Sequence, residues 1–193
     1  AYRYVLPSAG EEVWDDTDTD DNGLVQGNDT GAVYYTGSFG NFGISAALTK
    51  GANGSNDNSQ VLTYSGLMDG LTLGYGIGEN GASTDLTTYF AKYTVGSITA
   101  AYQVSEIDTT GTSSDEEATG FGVSFAVNEN MSISYNLWDV DMQTGTDEES
   151  SGISASYTMG GMTFGLVANS TDNVAGSSAD DDTFTEINVT FAF

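Results

Sequence analysis

Cysteine and histidine are both absent from this 193-residue sequence, and proline occurs only once. Without cysteine, the chain has no disulfide framework, no thiolate metal site and no thiol nucleophile. Without histidine, it also lacks the commonest general base and the commonest ligand for transition metals. The sequence therefore offers little from which an enzyme active site could be built.

Basic residues are almost as scarce. Three Lys and Arg stand against 28 Asp and Glu, giving a net charge of −25. Such a chain repels nucleic acid and anionic lipid, and it attracts cations, especially hard divalent ions that prefer oxygen ligands. No apolar run approaches the roughly 20 residues that a membrane-spanning helix needs, and residues 1–4 do not begin a signal-peptide core. A barrel of strands could still span a membrane, because it needs no such run.

Aromatic residues, by comparison, are plentiful, with 11 Tyr, 9 Phe and 2 Trp. Disordered acidic chains usually lack them, so this chain is expected to fold. From residue 31 onward, apolar and small polar residues alternate with a period of two, which predicts strands with one apolar and one polar face. We predict eleven strands, over residues 32–39, 42–50, 60–68, 71–79, 85–95, 98–108, 118–127, 131–141, 150–159, 162–172 and 183–193.

The connections between the predicted strands alternate in length. The short ones are rich in Gly and Asn, at 40–41, 69–70, 96–97, 128–130 and 160–161. The long ones are polar and mostly acidic, at 51–59, 80–84, 109–117, 142–149 and 173–182. A meander with tight turns at one end and long loops at the other is typical of membrane barrels, whereas soluble sandwiches have Greek-key crossovers. We therefore predict an all-β fold, an antiparallel up-and-down transmembrane β-barrel.

The two faces of the predicted strands differ in the way that a membrane barrel requires. One face carries large apolar residues such as Tyr75, Tyr135 and Phe164, and the other carries mainly Ser, Thr, Gly, Asn and Ala. A small soluble barrel would pack its large residues inside and carry its charges outside. Large apolar residues facing outward suit lipid, while small polar residues facing inward leave room for water.

The strand rhythm and the C-terminus resemble those of general porins of the Gram-negative outer membrane, most closely the purple-bacterial (alphaproteobacterial) type. Phe193, preceded by Phe191, Val189 and Ile187, is similar to the C-terminal signal that the barrel-assembly machinery reads. The stretch 31–47 resembles the strand pair that follows the inward-folded constriction loop of these porins. The resemblance covers essentially the whole chain. It implies a homotrimer among outer-membrane lipid and lipopolysaccharide, whose water-filled channels pass small hydrophilic solutes without chemistry.

Strand counting refines the resemblance. In such porins the constriction loop lies between strands five and six of sixteen, and counting back from the C-terminus makes the first predicted strand here the sixth. The acidic segment 7–30 then falls where the inward-folded constriction loop should be, within a single barrel domain over 1–193 whose strands occupy 31–193. On this mapping the chain lacks the first four strands and most of the fifth. The alternative is a complete barrel of about twelve strands that begins with residues 1–6.

The acidic segment supplies candidate pore residues and a candidate metal site. Its carboxylates are expected to favour cations, with charges of lumen parity on the wall tuning selectivity. The predicted constriction residues are Glu11, Glu12, Asp15, Asp16, Lys92 and Glu186. Residues 18–29 fit the pattern D-x-D-x-N-G with an acidic residue at position twelve, which is an EF-hand-like calcium loop. The predicted calcium ligands are Asp18, Asp20, Asn22, the carbonyl of Leu24, and Asp29. The alternative is a solvated acidic segment without a fixed metal.

Other features have two interpretations. Lys92 and Glu186 either line the pore or compensate each other within the wall. Trp138 either contacts the inward-folded loop or belongs to an aromatic girdle near the rim, which we favour.

The carboxylates of 115–117, 147–149 and 180–182 are expected to be solvated loop charges, or else to bridge to lipopolysaccharide through divalent cations. The alternative to a porin is a soluble calcium-binding extracellular β domain of the adhesin or surface-layer type.

Overall fold

The computed structural model of the chain describes residues 5–10, 33–50, 56–81, 83–111 and 115–192. These residues contain one antiparallel sheet of eleven strands, in which every strand pairs with its neighbours in the sequence. The all-β, up-and-down fold is therefore confirmed. The strands are β1 (Val33–Phe39), β2 (Phe42–Lys50), β3 (Asn56–Tyr64), β4 (Leu71–Asn80), β5 (Thr84–Val95), β6 (Ile98–Thr109), β7 (Glu116–Asn128), β8 (Met131–Met142), β9 (Glu148–Met159), β10 (Met162–Asp172) and β11 (Asp182–Phe191).

Short turns lie at one end of this sheet and most long loops at the other, as the sequence predicts; the exception is the connection between β3 and β4, residues 65–70, which lies at the turn end but is six residues long. Four of the turns carry a glycine with positive φ: Gly40 at 60°, Gly70 at 80°, Gly96 at 57° and Gly160 at 62°. Glycine adopts this left-handed conformation at no steric cost, which is why it suits such tight connections. One 3-10 turn, Val174–Gly176, lies in the long loop between β10 and β11. No helix in the described part of the chain has the length and hydropathy to cross a membrane.

Strand β3 begins four residues earlier than predicted, at Asn56 rather than residue 60. Its register is set by pairing with β2, in which Tyr64 lies opposite Phe42. The N–H of Ser65 then donates to the carbonyl of Asn41 at 2.9 Å and closes the strand pair. The predicted span 60–68 is therefore wrong, because the apolar pair 67–68 lies exposed in the turn and does not continue the strand.

One face of the sheet holds residues 5–10, and we call it the inner face; the opposite one is the outer face. Large apolar side chains are exposed along the outer face of every strand. They include Ile44, Leu62, Tyr75, Tyr89, Tyr102, Phe121, Tyr135, Ile153, Tyr157, Phe164, Leu166 and Val189. Water-soluble monomers rarely expose a continuous apolar surface of this extent, whereas a lipid-facing surface requires one.

Toward the long loops, the outer face becomes acidic. Three rows of exposed carboxylates run across neighbouring strands, with each residue directly opposite the next. The rows are Glu79, Asp85 and Asp108; Glu106, Glu117 and Asp141; and Asp139, Glu149 and Asp172. Like charges in direct opposition repel one another, and only contact with water and ions makes this arrangement tolerable. The long-loop end of the sheet therefore lies outside any hydrocarbon layer.

Candidate functional site

Small polar side chains cover most of the inner face. Those that are buried include Ser45, Ser59, Thr63, Thr88, Gln103, Ser105, Ser134, Asn136, Ser150, Ser154, Asn169 and Thr171. Buried hydroxyls and amides need partners, and here they bond across strands. The hydroxyl oxygens of Thr88 and Ser105 lie 2.8 Å apart, and the side-chain amide of Gln103 donates to both hydroxyls at 3.2 Å. These uncharged residues thus form a polar wall in which the hydrogen-bonding groups largely satisfy one another.

Residues 5–10 cross this wall from β6 to β9. The N–H of Val5 donates to the Gln103 side-chain oxygen at 3.0 Å, and the Asn136 amide donates to the carbonyl of Pro7 at 3.3 Å. Further along, the N–H of Ala9 donates to the hydroxyls of Ser134 and Ser154 at 2.9 and 3.2 Å. We call residues 5–10 the inner segment. Because wall side chains bond its backbone atoms, the wall fixes the path of the chain and not merely one side chain.

The apolar part of the inner segment lies on two glycines of β7. A Cβ atom at Gly122 would lie 3.0 Å from Pro7 Cδ and 3.1 Å from Leu6 Cβ. A Cβ atom at Gly120 would lie 3.1 Å from Leu6 Cδ1. Since close approach of another backbone is a common reason for glycine within a strand, these two residues form the surface that receives the segment.

Trp138 closes one side of this surface and is fully buried. It lies directly opposite Gly120 in the sheet and belongs to a buried apolar cluster with Val5 and Leu6. The favoured assignment of Trp138 to an aromatic girdle is therefore wrong, and the alternative, contact with the inward segment, is what the structure shows. The physical reason is the alternation of side chains along β8, which places Trp138 on the inner face with Ser134 and Asn136.

Val5 and Leu6 do not belong to a strand. The alternative barrel that begins with residues 1–6 as a strand therefore fails for these two residues, whose side chains pack into the cluster on the inner face. Residues 1–4 lie outside the described residues. Of the predicted constriction loop 7–30, the structure describes only residues 7–10, and all four contact or lie over the wall.

Lys92 and Glu186 both lie on the inner face and are partly exposed. Lys92 is opposite the buried Ala101, and Glu186 is opposite the buried Val167. They stand on β5 and β11, with five strands between them, so they are not a cross-strand pair in the wall. Glu186 instead accepts a hydrogen bond from the Asn188 amide at 3.0 Å. A role of these two charges in a constriction stays a prediction.

The other predicted site residues lie outside the described part of the chain. These are the constriction carboxylates Glu11, Glu12, Asp15 and Asp16, and the calcium ligands Asp18, Asp20, Asn22, Leu24 and Asp29. In the sequence, Glu11 and Glu12 directly follow Gly10, whose N–H donates to Ser154 at 3.0 Å. In the part of the chain that the structure describes, no three carboxylates are grouped so that they could hold a metal ion.

Two of the long loops are joined through Glu148, for which the prediction of a solvated loop charge is wrong. Its side chain is fully buried, and one carboxylate oxygen accepts the N–H of Ala175 at 2.8 Å. Ala175 has a φ of 51°, a left-handed conformation that costs a non-glycine residue about 1–2 kcal/mol. The Asn173 amide also donates to the carbonyl of Asp147 at 3.0 Å. The loop that follows β10 is therefore tied to the start of β9.

Sequence patterns did not identify which individual residues of the wall form hydrogen bonds. Gln103, Ser134 and Ser154 have the alternation of the inner face as their only sequence signal, and many other Ser and Thr residues share it. Their partners in the inner segment lie 98 to 146 positions away in the sequence, beyond the reach of any local pattern.

A family model described as Gram-negative porin matches residues 6–193. Among solved structures, the chain is similar to a porin refined at 1.8 Å resolution, with a TM-score of 0.69 and 18% identity over 97% of this chain and 72% of that one. It is also similar to Pseudomonas aeruginosa OccK11 (OpdR), with a TM-score of 0.64 and 12% identity over 90% of this chain and 63% of that one.

A third similar structure is a loop L8 deletion mutant of OmpT, an outer membrane protein of Vibrio cholerae. Its TM-score is 0.60 and its identity 14%, over 83% of this chain and 62% of that one. The chain thus spans less than two thirds of the length of OccK11 and of the OmpT deletion mutant. No protein of curated function matches it.

Proposed function

This chain belongs to the Gram-negative porin family, and from that membership we propose that its inner face lines a water-filled channel for passive diffusion of small hydrophilic solutes. The outer membrane is the location of this family, which is incompatible with the alternative of a soluble calcium-binding extracellular domain. The apolar outer face faces lipid, the acidic rows lie at the aqueous rim, and the polar inner face borders water.

The observation that carries the proposal is the attachment of the inner segment to the wall. A segment that runs across the inner face of a barrel reduces the open cross-section at its own height. The hydrogen bonds from Val5, Ala9 and Gly10 to wall side chains give that reduction a fixed position. Small solutes pass the remaining opening and larger ones are excluded, so the segment acts as a sieve and no bond is made or broken.

We further propose that the channel favours cations. Glu11, Glu12, Asp15 and Asp16 follow the inner segment in the sequence, and carboxylates near the narrowest part of a pore attract cations and repel anions. Glu186 adds a negative charge on the inner face, and Lys92 opposes it with a positive one. The net charge of −25 favours cations at the channel mouth as well.

The test is the reversal potential of the outer-membrane protein in planar lipid bilayers under a tenfold gradient of potassium chloride. The wild-type channel should be cation-selective, and the E11Q/E12Q variant should lose a substantial part of that selectivity. The matched control is D180N/D181N, which removes two charges from a long loop and should change the reversal potential less. An anion-selective wild type, or an E11Q/E12Q channel identical to it, would contradict cation selection by these residues.

Three finer properties belong to the same proposal. The protein assembles as a homotrimer among outer-membrane lipid and lipopolysaccharide, and Phe193 is read by the barrel-assembly machinery; both rest on resemblance to the family. Calcium binding by Asp18, Asp20, Asn22, Leu24 and Asp29 rests on the spacing of these oxygen ligands alone.

A further inference from the structure

Five glycines of the inner face share one arrangement. Each lies directly opposite a larger residue on a neighbouring strand, and the side chain of that residue extends over the glycine into the space that a Cβ atom would occupy. The pairs are Gly43 with Thr63, Gly74 with Phe90, Gly120 with Trp138, Gly122 with Asn136, and Gly165 with Asn188. The larger side chains therefore lie along the wall instead of standing away from it.

Backbone conformation does not explain these glycines. None of the five has a φ in the left-handed region, and all lie within regular strands, where other residues would be accommodated. Glycine within a strand otherwise weakens it, because it loses more conformational freedom on folding and offers no side chain to pack. Because glycine has no Cβ atom, it leaves room here for the side chain of the residue opposite it.

The pair Gly165–Asn188 shows the arrangement away from the inner segment. Gly165 is buried, and a Cβ atom there would overlap the carboxamide of Asn188, with Cγ at 2.8 Å and Nδ2 at 2.9 Å. In this flat position the Asn188 amide donates to the carboxylate of Glu186 at 3.0 Å. Since the overlap involves Cγ as well as the terminal atoms, a rotation of the amide alone would not relieve it.

We propose that these glycines set the clearance of the channel, by allowing the larger residues opposite them to lie flat against the wall. The proposal rests on the proposed function, because it takes the inner face as the lining of the lumen. Gly165 is on this view a positioning residue, which keeps the Asn188 side chain out of the path of the solute and beside Glu186. Any Cβ at position 165 would turn Asn188 toward the lumen.

Single-channel conductance of the outer-membrane protein in planar bilayers tests the proposal. Gly165→Ala should lower the conductance, and Gly165→Ala combined with Asn188→Ala should restore it to at least the wild-type value. Ser156→Ala is the matched control, since Ser156 flanks Gly165 in the same row of the sheet, and it should conduct like the wild type. A Gly165→Ala channel with wild-type conductance, or a double variant no better than Gly165→Ala, would overturn the proposal.

If Gly165→Ala does not fold, the ability of the variants to form channels is the second measurement. The double variant removes the overlap, so it should form channels where the single variant fails; failure of both would count against the proposal.

Thiol labelling tests the position of the residue 188 side chain separately from the channel function. Because the sequence has no cysteine, Asn188→Cys gives a single reporter. Its reaction with a water-soluble thiol reagent should be faster when Gly165→Ala is also present than when Gly165 is retained, whether or not the protein conducts. Equal rates would contradict the flat position.

Discussion

The inner segment should detach from the wall when its serine acceptors are removed. Ser154 accepts the N–H groups of Ala9 and Gly10 at 3.2 and 3.0 Å, and its hydroxyl lies 2.7 Å from that of Ser134. Ser154→Ala alone leaves each N–H one acceptor, because Ala9 still has Ser134 at 2.9 Å and Gly10 still has Ser8 at 3.2 Å. We expect it to weaken the attachment by about 1 kcal/mol.

The double variant S134A/S154A removes both acceptors of the Ala9 N–H. A partly buried donor that loses its acceptors costs about 1–3 kcal/mol, so the segment should open roughly 5- to 150-fold more often than in the wild type. Amide hydrogen exchange of the peptide that contains residues 5–10 measures this directly in detergent-solubilised protein. Single-channel recordings should show larger current fluctuations in the same variant.

Ser156→Ala provides the control, since Ser156 lies on the same strand and face, and the structure shows no hydrogen bond between it and residues 5–10. It should exchange like the wild type. If S134A/S154A exchanges no faster than this control, the hydrogen bonds do not hold the segment, and the segment is not a fixed sieve.

Three further predictions follow from the buried tryptophan, the wall charges and the acidic motif. Trp138→Ala should lower the free energy of unfolding in detergent by about 3–5 kcal/mol, because it empties a packed site; a change near zero would suit a rim position instead. Lys92→Gln should shift the reversal potential toward stronger cation preference and Glu186→Gln toward weaker preference, and shifts of the opposite sign would exclude these residues from the lumen. D18N/D20N should abolish a calcium-binding event seen by titration calorimetry of the wild type; a wild type without such an event, or a variant that retains it, would contradict the calcium loop.

The sequence was sufficient for the fold because the fold depends on alternation and turn chemistry. Tyr135 and Phe164 are exposed on the outer face and Ser134 is buried on the inner one, as a period of two requires. Register depends on pairing between strands, which alternation does not define. Leu67 and Met68 extend an apolar run in the sequence, and for this reason the predicted β3 ends too late. In the structure, the pairing of Tyr64 with Phe42 determines the position of β3.

The candidate site was less predictable because it depends on contacts between distant parts of the chain. Parity placed Lys92 and Glu186 on the inner face correctly, since parity is a local property. Nothing local indicates that Val5 binds Gln103, or that Trp138 packs beside Leu6. The glycines opposite large residues are likewise recognised only once the register shows which side chain lies across from each of them.

A channel lined by the inner face requires the outer face of the sheet to meet lipid and the inner face to meet water. Spin labels placed in turn at positions 186, 187, 188 and 189 of β11 measure this in lipid bilayers, by collision with oxygen and with a water-soluble nickel complex. Oxygen accessibility should be highest at 187 and 189, and nickel accessibility at 186 and 188. The reverse alternation, or nickel access at all four positions, would contradict a channel lined by the inner face.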